Sequence, residues 1–191
     1  CIRDSIHTDK TKNKKVKAKI FLIIYYGFAT WLPSSYAPVI GKVCNLIRIF
    51  CVKQIFRKCG KVSIIDRNAY FGNRANIEIG DYSGIGANCT IPNNTIIGKY
   101  VMFAPQVHIV AGNHQYKNLQ IPMCFQGSMH KEKPITIIED DCWIGVRSIL
   151  TPGRHIKKGS IIAAGAIVTK DFDEYSIIGG NPAHLIKKRG Q

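Results

Sequence analysis

The sequence predicts an all-β fold, a parallel β-helix, on three observations. The first is a period of six: from Ile79 every sixth residue is large and apolar (Ile85, Ile91, Ile97, Phe103, Ile109), and the beat resumes at Ile138 with Ile144, Leu150, Ile156, Ile162 and Val168. The second is the residue set between these positions. The next residue is often small (Gly80, Gly86, Gly98, Ala104, Gly145, Ala163), and the fourth one on is mostly small or β-branched, as at Ser83, Cys89, Thr95, Val107, Ser148 and Ala166, with Arg154 and Phe172 as exceptions. The third is a break, because the 29 residues from Ile109 to Ile138 are not a multiple of six. A helix repeats its face about every 3.6 residues and a hairpin sheet about every 2, so neither keeps this beat. Short strands joined by tight corners and stacked coil on coil do, with the apolar residue pointing inward at each step.

In chain order, residues 1–60 come first as a basic and apolar segment. In "KNKKVKAKIFLIIYYGFATWLP" lysines precede an apolar run from Ile20 to Leu32, like the first regions of a secretory signal. It lacks a small-x-small cleavage site and is shorter than the roughly 20 residues that span a bilayer. The segment is expected to form a helix packed on its own protein; the alternative is an anchor lying on a membrane surface. Residues 61–179 carry the repeat, which starts weakly at Ile65 and Phe71 and slips by two residues at "IEIGDY". Coils spaced as strands are, at about 4.7–4.9 Å, make a stiff prism that cannot bend around a ligand, so function must come from insertions and neighbouring copies. Residues 115–133 are expected to leave the prism as an excursion, and loops of that length in a regular scaffold are usually functional. Residues 180–191 read as a basic tail.

Composition narrows the function classes. A chain of 191 residues with 46% hydrophobic and 20% charged residues is one ordered domain. Its formal charge of +15 favours an anionic partner: nucleic acid, an acidic membrane face or a phosphorylated cofactor. The repeat tract lacks the interleaved aromatics that stack bases, which argues against nucleic acid. Seven cysteines without a CxxC pair point to no zinc or redox motif and to reduced thiols in a cytoplasm.

The repeats together with "DCWIGVRSILTPG", "IAAGAIVTKD" and "IIGGNPAHLIKKR" resemble the hexapeptide-repeat acyltransferases over about residues 60–190. That resemblance implies left-handed coils, opposite to the usual crossover rule, a homotrimer, and acetyl-CoA as the acyl donor. "YYGFATWLPSSYAP", "IFRKCGKVSIIDRNAYFG", "GNHQY" and "FQG" are similar to the branch that O-acetylates sugars of capsules and exopolysaccharides, and more distantly to galactoside and maltose acetyltransferases. The implied enzyme is an acetyl-CoA-dependent O-acetyltransferase acting on a sugar or polysaccharide precursor, cytoplasmic, with the N-terminal segment able to touch the inner membrane face.

Site residues follow. Acetyl transfer to a hydroxyl needs a base, and an imidazole with a pKa near 6.5 suits that role. The family's histidine at the start of the excursion maps onto His114; no triad partner is evident, and an orienting backbone carbonyl would suffice. His108 reads as structural, His130 as loop filler and His155 as solvent-facing. By resemblance the cofactor meets Trp143, Gly145 and Val146 near the thioester, Ala164 beside the pantetheine amides, Thr169 and Lys170 further out, and Lys187 toward the phosphates. Val146 stands where galactoside-type relatives have serine, so a contact there must use its backbone amide, and the N–H of Gly145 or Val146 is the candidate oxyanion donor. Asn113 and Gln126 are the acceptor candidates, with Tyr116, Asn88 and Ser83 behind them. No metal is expected. The rival γ-type carbonic anhydrases hold zinc with three histidines, and here no histidine lies between His7 and His108 to supply the third. The other rival is a non-catalytic scaffold that binds anionic surfaces.

Overall fold

The computed structural model describes residues 16–73, 76–129 and 134–191. Its repeat tract is a three-faced prism. The first face stacks Lys58–Cys59, Ile77–Ile79, Thr95–Ile97, Thr136–Ile138 and His155–Ile156 in parallel; the second stacks Ile64–Ile65, Gly84–Ile85, Met102–Phe103, Trp143–Ile144, Ile161–Ile162 and Ser176–Gly180. The third face carries His108–Ile109, Ile149–Leu150 and Ile167–Val168, extended by single bridges from His108 to Thr90 and from Thr90 to Tyr70.

The sixfold beat becomes the core. Ile85, Ile91, Ile109, Ile138, Ile144 and Leu150 are all fully buried, and burying a side chain of that size contributes roughly 1.5–3 kcal/mol. The small fourth positions also point inward: Ser83 is buried, donates to Gly98 O at 2.7 Å and accepts from Val101 N at 3.0 Å. The slip at "IEIGDY" is explained by the first face, whose three middle strands run three residues with both ends inward, as at Ile77 and Ile79. Most corners at these two edges are turned by one residue at positive φ: Tyr82, Tyr100, Asp141, Gly159 and Tyr175 at the first edge, Asn68, Asn88, Gln106, Arg147 and Gly165 at the second. Asn is among the residues that tolerate this conformation most readily. Arg154, one of the exceptions to the small fourth position, follows Ile77, Thr95 and Thr136 on the first face near the C-terminal end, and its guanidinium escapes to Thr169 O at 2.9 Å and Asp171 at 3.4 Å.

Two helices close the N-terminal end, α1 over residues 16–27 and α2 over Gly41–Ile55. Tyr25 on α1 is buried against Phe71 and donates its hydroxyl to Ala69 O at 2.9 Å, while Phe56, just after α2, meets Phe71 edge-on. Arg48 on α2 is wholly buried, yet its donors are satisfied by Ile65 O at 2.7 Å, Leu32 O and Pro33 O at 3.1 Å and Ser35 Oγ at 3.0 Å, with Asp66 at 3.8 Å. This one side chain ties α2, the connecting loop and the first coil together, and a buried guanidinium tolerates that position only because it is so bonded. Cys59 and its neighbour Lys58 already pair with the next coil, so the ladder begins slightly before residue 61.

The C-terminal end differs from a free tail. Ala183–Lys188 returns antiparallel to Ser176–Gly180. Gly179 and Gly180 give the chain room to reverse, and the added strand covers a sheet edge that would otherwise be left open.

Candidate active site on two edges of the prism

The excursion leaves after Ile109 and the ladder resumes at Thr136. Ile79 pairs with Ile97, eighteen residues on, whereas Ile97 pairs with Ile138, forty-one on. Its base is a short antiparallel pairing: His114 bridges Ser128, Gln115 N donates to Gly127 O at 2.9 Å, and Met129 N donates to Asn113 O at 2.8 Å. His114 therefore stands on backbone held from both sides, with an exposed imidazole that meets no hydrogen-bond partner among the described residues, the orienting carbonyl included. Asn113 is exposed beside it. His130 and the end of the excursion through residue 133 lie outside the described residues.

Other expectations meet different surroundings. Gln126 is committed to the loop: its amide nitrogen donates to Asn118 O at 2.7 Å and Ile121 O at 2.6 Å, and its oxygen accepts from Asn118 N at 3.2 Å. Ser83 is buried and out of reach of any acceptor, and Asn88 accepts from Asn68 at 3.2 Å on a turn. His108 faces outward on the third face. His155 is not simply solvent-facing, since its Nε2 lies 2.7 Å from Glu139 Oε1. The Lys158 backbone amide, with His155 beside it, holds the Glu139 carboxyl below its ordinary value.

The cofactor candidates divide between edges. Gly145, Val146 and Ala164 form the edge between the second and third faces, stacked by Gly165 N donating to Val146 O at 2.8 Å. Gly145 is closely overlain: a Cβ there would lie 2.5 Å from Ile162 O and 2.7 Å from Ala164 N. Its own N–H is used in the ladder, to Ile162 O at 2.8 Å, which removes it as an oxyanion donor. The Val146 N–H, in contrast, meets no acceptor among the described residues. Trp143 lies outward on the second face, half exposed, next to Met102. Arg147, which the sequence reading passed over, adds a cation on this edge and reaches Gln106 Oε1 at 2.6 Å; only the corner geometry reveals it. Thr169 and Lys170 lie on the other edge, between the third and first faces, two coils beyond His114. The third face separates the two edges within one chain, by roughly 15–20 Å for a six-residue side.

An open cleft of about 300 Å³ at the C-terminal end is lined by Lys157, Lys170, Phe172, Asp173, Ser176 and Lys188, among others. Lys170 thus joins two further lysines there. Lys187 points the other way from Lys188 and donates to Gln191 O at 3.1 Å.

Against this geometry, the pattern described as "Hexapeptide repeat of succinyl-transferase" matches residues 135–170. A putative acetyltransferase of Saccharomyces cerevisiae is 32% identical over 139 residues, covering 72% of this chain and 68% of that one. The chain belongs to the hexapeptide-repeat acetyltransferases. A second member, the galactoside O-acetyltransferase of Escherichia coli K12, is 32% identical over 140 residues, covering 72% of this chain and 66% of its own; the acetyltransferase described here thus spans about two thirds of the length of these relatives. Among solved structures, a maltose O-acetyltransferase from Clostridium difficile 630 superposes with a TM-score of 0.68 at 24% identity, covering 92% of this chain and 87% of that one. A galactoside acetyltransferase in complex with coenzyme A superposes at 0.59 with 21% identity, covering 93% and 81%. This likeness establishes the fold as the left-handed β-helix expected from the motifs.

Proposed function

We propose that this acetyltransferase moves the acetyl group of acetyl-CoA to a hydroxyl of a sugar or polysaccharide precursor, with His114 as general base. The observation that carries the reading is an exposed imidazole, without a partner among the described residues, held at the base of the excursion. His114 takes the hydroxyl proton as the sugar oxygen bonds to the thioester carbonyl carbon; the Val146 N–H receives the developing oxyanion; the C–S bond breaks, and the imidazolium returns the proton to the leaving sulfur. Gly145 serves by being small, leaving room for the neighbouring coil. The galactoside and maltose acetyltransferases among the relatives support a sugar acceptor, and the neighbour solved with coenzyme A supports the donor.

His114 and the Val146–Ala164 edge lie on different edges of one prism, so the reading requires a neighbour to bring the second edge to the first, and the resemblance supplies it as a closed homotrimer. Lys170 offers a cation for the donor phosphates, beside Lys157, which pairs with Asp173 at 3.2 Å, and Lys188, which donates to Glu174 O at 2.8 Å; Lys187 is a further contact by resemblance. Asn113 is the acceptor contact best placed beside His114. The cysteines of the described residues are unpaired, which suits a reducing cytoplasm.

The test is thiol release from acetyl-CoA across a panel of sugars. With an acceptor in hand, His114→Ala lowers kcat by at least about 100-fold while acetyl-CoA affinity by calorimetry is unchanged. Near-full turnover by that variant would remove His114 from the chemistry.

A further inference from the structure

We propose that the outer sides of α1, α2 and the loop between them form a docking surface for an anionic phospholipid bilayer. This goes beyond acetyl transfer and stands on separate residues. Helical spacing of about 100° per residue sets two opposite sides on each helix. On α1, Tyr25 is buried against the first coil, and Ile20, at 52% exposure, and Ile23, at 74%, stand across from it. On α2, Arg48 is buried, and Leu46 at 64% and Phe50 at 58% stand across from it. Phe50 meets Phe21 of α1 edge-on at 5.6 Å, so the two helices are neighbours. The connecting loop adds Trp31 at 74% and Val39 at 97%. Large apolar residues left exposed together on two neighbouring helices and their loop mark an interaction site.

Charge decides the occupant. From Val16 to Ile65 the sequence has no aspartate or glutamate, while Lys17, Lys19, Lys42 and Lys53 stand exposed around the apolar residues. The acid that ends this stretch, Asp66, is buried beside Arg48. An apolar face whose charged neighbours within residues 16–65 are all cations fits anionic headgroups over acyl chains, and Trp31 and Tyr36 are of the type that settles at that boundary. No helix among the described residues is long and apolar enough to cross a membrane, so the helices lie on the bilayer.

The test is co-sedimentation of the full chain with vesicles of phosphatidylcholine alone, or with phosphatidylglycerol added. Binding is expected only to the second kind and is weakened by salt. Lys42→Gln with Lys53→Gln weakens it about 30-fold, at about fivefold per basic residue. Ile23→Glu with Leu46→Glu abolishes it, while circular dichroism and turnover of a soluble sugar acceptor stay at the unsubstituted level. Absent turnover with vesicle binding intact would count against the acetyl-transfer reading alone. The proposal is overturned if the full chain ignores anionic vesicles or if neither pair of substitutions alters binding. It is also overturned if Ile23→Glu with Leu46→Glu lowers the oligomer mass in light scattering and no vesicles bind, since the face then belongs to a second copy.

Discussion

Glu139 shows how a single side chain on this prism acquires a pH dependence. Its carboxylate accepts from the Lys158 amide at 2.8 Å and faces His155 Nε2 at 2.7 Å, and these partners hold its pKa in the fold below the unfolded value. A group depressed in this way contributes stability that is fully present above the unfolded pKa, about 4.3, and is lost as pH falls through the folded value. Glu139→Gln should therefore lower the melting temperature at neutral pH, with the gap to the unsubstituted protein closing below about pH 4. A gap of equal size at neutral and acid pH would refute the linkage. Neither partner of Glu139 was legible in the sequence, because they sit one coil away. The break beside His114 was legible, because the sixfold beat stops after Ile109. The loss of the Gly145 N–H as an oxyanion donor was not, since only the ladder shows where that hydrogen points.

At the scale of elements, the repeat was readable because one residue in six must be apolar and its successor small wherever the next coil runs so close that a Cβ would meet its backbone, as at Gly145, where it would lie 2.5 Å from Ile162 O. The two ends were harder. The C-terminal hairpin hides in "IIGGNPAHLIKKR", whose lysines resemble a solvated tail until the strand pairing is seen. The break that opens the excursion is visible in the sequence but its internal order is not, because Gln126 fastens it through backbone groups that follow no period. That fastening has a consequence. If the loop shapes the acceptor side of the site, Gln126→Ala, which removes three hydrogen bonds to the loop backbone, should raise KM for the sugar several-fold, on the order of 1 kcal/mol of positioning, and leave KM for acetyl-CoA unchanged. A change in the acetyl-CoA value alone would show that the loop serves the donor.

At the scale of the molecule, one chain has His114 on the edge between the third and first faces and the Val146–Ala164 pair on the edge between the second and third. A rigid prism does not fold one edge onto another, so the site as proposed needs two chains, and in the proposed trimer light scattering should give three times the 21.3 kDa chain mass. A mixing experiment tests the composite site directly. His114→Ala chains keep an intact donor edge, and Ala164→Trp chains keep an intact base but have the exposed donor edge filled. Each variant alone should be inactive. In a ring of three, any mixed trimer contains one junction where an intact His114 meets an intact Ala164. With random assembly from equal amounts about three quarters of trimers are mixed, and about one junction in three works in each, so co-expression should restore about a quarter of the unsubstituted activity. If base and donor edge were completed within a single chain, no mixture of the two would recover turnover, and the proposed assembly would have to be abandoned even if a trimer were found.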